Sequence, residues 1–152
     1  VEDRTLTLFL TIRESFPEVK DKVSLIKPCV ELMCLSTGWA LRIEEFEKIL
    51  TVPPGFLYQS NEALYAISVL YRIDDTITTG IIAYEFAEIV AREKNITDLG
   101  LIDRICVERG FGEQLLDALR NDILPGMVER EFIVREHLEN RINHLKELLR
   151  AD

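Results

Sequence analysis

The sequence predicts an α+β domain, with an N-terminal helix, a small mixed or antiparallel sheet and a helical C-terminal half. Three features predict it. Apolar residues recur at helical spacing near the start of the chain, in "LTLFLTIR", and again throughout its second half. Between these blocks, "VSLIKPCVELMCLSTGWALRI" and "EALYAISVLYRI" are rich in β-branched and apolar residues and read as strands. Strands and helices are therefore segregated along the chain instead of alternating, the ordering that separates α+β from α/β architecture. No repeat, low-complexity tract or Pro/Gly-rich linker divides residues 1–152, so they form one domain.

Each element has its own local warrant. The first helix, from about Asp3 to Ser15, carries Leu6, Phe9, Leu10 and Arg13 on neighbouring turns and stops before Pro17. From Val23 to Ile43 the pattern gives two strands around a turn, broken by Pro28 and by Ser36-Thr37-Gly38. "IEEFEKIL" fits a short strand or a single helical turn, and "TVPPGF" is a loop, since two prolines and a glycine support neither regular element. "EALYAISVLYRI" has apolar residues on both of its sides and reads as a strand covered on each face. Asp74, Asp75 and Thr76 offer capping oxygens to a helix running to about Lys94. A shorter helix follows from Leu99 to Arg109, with Gly110 as its cap, and another spans Gly112 to Asn121, closed before Pro125-Gly126. The last helix, about 129–149, places Val134, Leu138, Ile142, Leu145 and Leu149 in one apolar stripe on an otherwise charged rod.

Composition limits the function classes. The chain of 152 residues is 47% hydrophobic with a net charge of −9, which suits a folded domain and opposes phosphate backbones. Its basic residues near the end, Arg130, Arg135, Arg141, Lys146 and Arg150, are dispersed among glutamates, so no nucleic-acid partner is expected. No apolar run reaches the roughly 20 residues that span a bilayer, so no membrane partner is expected either. "VEDRTLTLFLTIRESF" has acidic residues where a signal peptide would be positive, and the expected location is cytoplasmic. Cys29, Cys34 and Cys106 sit among apolar residues and read as reduced, buried side chains. His137 and His144 lie on one flank of the last helix and read as solvated helix residues.

"IIAYEFAEIV", residues 81–90, is where chemistry is most concentrated. On helical spacing Tyr84, Glu85 and Glu88 share one face. That is the footprint of H-E-x-x-H, in which two histidines one turn apart hold zinc and the glutamate activates the metal-bound water. Here Tyr84 and Glu88 occupy the histidine positions and Glu85 the position of the base. Downstream, "LIDRICVERGFGEQLLDAL" fits a pattern of aspartate, arginine and then glycine followed by an aromatic residue, through Asp103, Arg104, Gly110 and Phe111.

With a strand before the helix and this segment after it, residues 63–119 resemble the zincin metallopeptidases. The resemblance implies a zincin-like fold in which Glu85 is a relic general base and Asp103 and Arg104 are supporting residues. It also implies that the three ligand positions are Tyr84, Glu88 and Leu99, the last standing where the family has a ligating glutamate. No zinc is expected at such a set. If Glu85 and Glu88 hold any ion, carboxylates and a phenol suit a hard cation, Mg²⁺ or Ca²⁺. The expected function is that of a catalytically inactive binding or scaffolding domain with a protein partner. The alternatives are a hydrolase that uses Glu85 and Glu88 with a hard divalent cation, and an unrelated interaction domain. In the last case the helix buries Ile82, Phe86, Ile89 and Val90 while Glu85, Glu88 and Arg92 face water, with a Glu88–Arg92 pair. The apolar stripe of the last helix either covers the domain's own core or makes a homo-oligomer.

Overall fold

The computed structural model describes residues 2–26, 38–44, 63–69, 74–121 and 135–150. In chain order these form α1 (Glu2–Arg13), a 3-10 turn (Lys20–Lys22), β1 (Val23–Leu25), β2 (Gly38–Arg42), β3 (Tyr65–Val69), α2 (Asp75–Glu93), α3 (Leu99–Glu108), α4 (Gly112–Asn121) and α5 (Arg135–Arg150). The α+β class is as the sequence predicts. "TVPPGF", most of "IEEFEKIL", Cys29, Cys34 and residues 129–134 of the expected last helix lie outside the described residues.

The sheet is small and mixed. β3 lies in the centre, parallel to β1 and antiparallel to β2. The two strands expected around a turn therefore do not pair with each other; β3 is inserted between them. Its sequence is suited to that place: Tyr65, Ala66, Ile67 and Ser68 are all buried. A strand covered on both faces and paired on both edges has no polar face to present.

Helices α2 and α3 are bounded by identifiable caps. The Asp74 side chain accepts a hydrogen bond from the Ile77 amide at 2.9 Å, and the Asp98 carboxylate accepts one from Leu101 at 3.1 Å. Both α2 and α3 end in the same six-residue closure. The Ile96 amide donates to the Ala91 carbonyl and that of Asn95 to Arg92, while Phe111 donates to Cys106 and Gly110 to Val107. The closure needs a left-handed residue, filled by Asn95 at φ 57° and by Gly110 at φ 91°.

Helix α2 is the centre of the molecule. It packs on β2 and β3 and against α1, α3 and α4. Twelve of its residues are buried, from Ile77 to Ala91. Small side chains let its neighbours come close. A Cβ on Gly80 would meet the Gln114 carbonyl group of α4, lying 2.6 Å from its carbon and 2.9 Å from the Leu115 nitrogen. A row of rings joins α1 to the same helix. Phe9 and Phe16 lie 5.3 and 5.2 Å from Phe86, and Phe16 stacks at 6.0 Å on Phe111. Helix α5 closes the domain over α3 and α4, burying Leu138 and Leu145. Its apolar stripe is thus used on the domain's own core.

Ion pairs tie the ends of elements together. Arg4 of α1 pairs with Asp75 at the start of α2. Glu93, at the end of α2, receives Lys22 at 2.6 Å and the Tyr65 hydroxyl at 2.9 Å. Arg109 donates to the Ser15 carbonyl at 2.8 Å and to the Glu18 carboxylate at 2.7 Å, with its guanidinium over the Phe16 ring.

Two outcomes follow. Gly80→Ala gains helix propensity but drives a methyl group into the backbone of α4, and should destabilise the domain by about 1–3 kcal/mol in urea unfolding. The Arg109 hydrogen bond holds the Glu18 carboxyl down at about 2, below its ordinary 4.5. A depressed native value means stability that is present above the ordinary value and is lost as pH falls through about 2. Glu18→Gln should therefore be less stable than the native chain near neutrality, with the difference vanishing in acid. Both partners are partly exposed, so added salt should shrink the difference in denaturation curves.

Candidate functional site

Tyr84, Glu85 and Glu88 lie in the middle of α2, and their surroundings follow from that helix's central position. Of the four residues one turn from Glu85, Ile81, Ile82 and Ile89 are buried and Glu88 is half-buried. Glu85 is drawn in with them and is only 5% exposed. The expectation that Glu85 faces water beside Glu88 and Arg92 is therefore corrected: a helix covered on nearly all sides leaves it no route to solvent. Its Oε2 has no hydrogen-bond partner. Burial, reinforced by the neighbouring Glu88 carboxylate and opposed by Arg92 and Arg141, raises the Glu85 carboxyl well above its ordinary 4.5. It therefore holds its proton to higher pH than an ordinary carboxyl does.

Glu88 is less enclosed and makes the expected pair with Arg92, at 3.5 Å. Tyr84 is half-buried. Burial pushes its phenol up, against the pull of Arg141, so the hydroxyl keeps its proton.

The residue that organises this region is Arg141 of α5, which sequence reasoning missed. Its Nε and Nη2 each donate to one oxygen of Asp103, both at 2.9 Å, in a two-pronged ion pair. Asp103 is wholly buried and the Arg141 side chain is 13% exposed. The same guanidinium stands 4.8 Å from the centre of the Tyr84 ring. One cation thereby joins α2, α3 and α5. Burial works to lower its pKa, but the hydrogen bonds to Asp103, together with the charges of Asp103, Tyr84 and Cys106, raise it on balance. A signal was present in the sequence. Arg141 stands three residues after Leu138 and four before Leu145, inside the apolar stripe, where a charged residue needs a buried partner.

The other expected site residues divide sharply. Asp103 is linked to Tyr84 through Arg141. Arg104 points away, exposed on α3, and makes no hydrogen bond or ion pair among the described residues. Leu99 opens α3 and is 45% exposed, an apolar side chain with no metal-binding atom. Cys106, one turn beyond Asp103, is buried, and burial raises its thiol pKa strongly, leaving an unreactive side chain. His137 is exposed; His144 is half-buried beside Gly100 at the start of α3. Among the described residues, no three His, Cys, Asp or Glu side chains are grouped so as to hold a metal ion. No helix among them is long and apolar enough to cross a membrane.

Chemically, the arrangement is a buried carboxyl whose ionisation is disfavoured, a protonated phenol and a fixed guanidinium–carboxylate pair packed into a helical core. Comparisons of the chain with protein-family models, with curated proteins and with solved structures give no match.

Two measurements probe these charges. Arg141→Ala leaves Asp103 buried without its partner and should destabilise the domain by about 3–5 kcal/mol in chemical denaturation. Glu85 has a native pKa raised above its unfolded one. Its contribution is fully present below the unfolded value and is lost as pH rises through the native value. The stability of Glu85→Gln relative to the native chain should therefore grow with pH above about 4.5, by at most about 1.4 kcal/mol per pH unit.

Proposed function

We propose that this chain is a zincin-like domain that has lost zinc and peptidase chemistry and now serves as a cytoplasmic binding or scaffolding module for another protein. The observation that carries the proposal is Arg141. A permanent positive charge is locked onto Asp103 and laid over Tyr84, at the turn of α2 where the family's first ligand would stand. Zinc ligands must be deprotonated and are favoured by negative potential, whereas here the phenol keeps its proton and a guanidinium supplies the opposite field. A general base must be ionised and within reach of water; burial at 5% exposure works against both at Glu85.

A second reading, a hydrolase working through Glu85 and Glu88 with Mg²⁺ or Ca²⁺, draws on one feature. A buried carboxyl with a raised pKa and an unpartnered oxygen is the kind of group active sites contain. Cation binding would have to ionise Glu85 and outcompete Arg92 for Glu88, which favours the first reading.

The experiment combines elemental analysis of protein purified without chelator with thermal shift in Zn²⁺, Mg²⁺, Mn²⁺ and Ca²⁺. The native chain should carry no stoichiometric zinc and show no saturable stabilisation by any of these ions. The double variant Tyr84→His/Glu88→His should bind zinc at least about tenfold more tightly than the native chain, the scale on which changes around a metal alter affinity. Tight stoichiometric zinc in the native chain would sink the proposal, and saturable Mg²⁺ or Ca²⁺ stabilisation would favour the hydrolase. A double variant that folds and gains no zinc affinity would remove the zincin ancestry.

A further inference from the structure

Helix α5 lies on the domain as a bound helix lies in a groove. It rests on α3 and α4 and reaches α2 through the Tyr84 ring. Its inward face carries Leu138, Arg141 and Leu145 at positions i, i+3 and i+7, the anchor spacing of an amphipathic helix held along one side. The two leucines are buried, and the opposite side of the helix is polar and exposed. A further seat lies at Gly112 of α4, where a Cβ would stand 2.5 Å from Leu149 Cδ2.

The central seat gives this groove its chemistry. Asp103 is wholly buried and receives the Arg141 guanidinium in two hydrogen bonds of 2.9 Å. The Tyr84 ring lies 4.8 Å from the same guanidinium. A buried carboxylate beside an aromatic face matches a planar, forked cation, whereas an ammonium cannot make the two-pronged bond. Without its guanidinium Asp103 would be a buried charge left uncompensated. Removal of α5 therefore costs least when a second guanidinium takes the place of the first.

We propose that α2, α3 and α4 form a helix-binding groove that reads arginine, occupied by α5 as an internal ligand. The partner that competes for it is an amphipathic helix of another protein. That helix carries an arginine three residues after one leucine-like side chain and four before the next. Such an exchange keeps Asp103 paired and the apolar seats filled. The inference rests on the binding-module reading and names the kind of segment that module takes.

The probe is a synthetic peptide of residues 135–150, which carries all of these anchors, added to the full chain. At about 1 mM, the effective-concentration scale of a tethered competitor, it should speed hydrogen exchange of the native chain's own α5 amides while α2 stays protected. The Arg141→Ala chain, whose α5 leaves Asp103 unpaired, should bind the peptide more tightly than the native chain does. A peptide with Arg141→Gln should bind that variant at least about thirtyfold more weakly, the lower end of the cost of losing one partner of a buried charged pair. Unchanged α5 exchange in the native chain would overturn the groove, even where Arg141→Ala fails to fold. Equal binding of the two peptides would do the same. Native-chain dimers that the peptide dissolves would make a second copy the occupant and overturn the assignment of another protein. Stoichiometric zinc would overturn the binding-module reading and leave these peptide results as they are. Failure of the peptide would leave that reading with a partner docked elsewhere.

Discussion

Burial of α2 on nearly every side is the constraint on which the rest of the structure depends. A helix that contacts a sheet and three other helices must have small residues where neighbours come close and apolar ones elsewhere. Gly80, Ala83, Ala87 and Ala91 meet the first need, and Ile82, Phe86, Ile89 and Val90 the second. The same enclosure takes Glu85 out of water and raises its carboxyl pKa, because an isolated buried charge is costly. Fold and electrostatics are here one consequence of one packing arrangement.

Arg141 and Asp103 are the charged counterpart beside that helix. A buried ion pair is weak evidence for net stability, since desolvation offsets much of its Coulomb energy, but it defines a geometry. A two-pronged guanidinium fixes distance and orientation together, so α5 can lie on α3 in one register. The apolar stripe of α5 could slide by a turn with modest loss; the ion pair cannot. The helix order of the C-terminal half is thereby locked at the point where α5 also covers Tyr84.

Much of the fold was legible because local rules dominate it. Asp74 and Asp98 precede apolar-periodic segments and cap α2 and α3. Gly110 ends α3 because the closure needs a left-handed residue. Asn95 does the same for α2, a subtler signal, since asparagine reaches that conformation at a small steric penalty. The strand pairing was not legible. β1 and β2 both precede β3 in the sequence, yet β3 lies between them in the sheet, a pairing of residues far apart along the chain. In the candidate site, Tyr84, Glu85 and Glu88 could be picked out by spacing and Asp103 by alignment to a pattern, while Arg141, 38 positions from Asp103, could not be assigned its partner. Leu99 and Arg104 were selected by alignment to a pattern, and both face solvent because α3 turns their sides outward.

The sequence by itself determined the class of fold, the places where helices begin and end, and which short stretch of one helix concentrates ionisable groups. Those properties depend on residues within a turn or two of each other. Only the tertiary structure decided the state of those groups. Whether a glutamate is a hydrated base or a neutral acid depends on what covers it, and Glu85 is covered by elements far away in the chain. Whether an arginine is surface charge or the keystone of three helices depends on a carboxylate 38 positions earlier, brought to 2.9 Å by folding. Dielectric surroundings and ion pairing are properties of distance in space, which spacing along the chain does not encode.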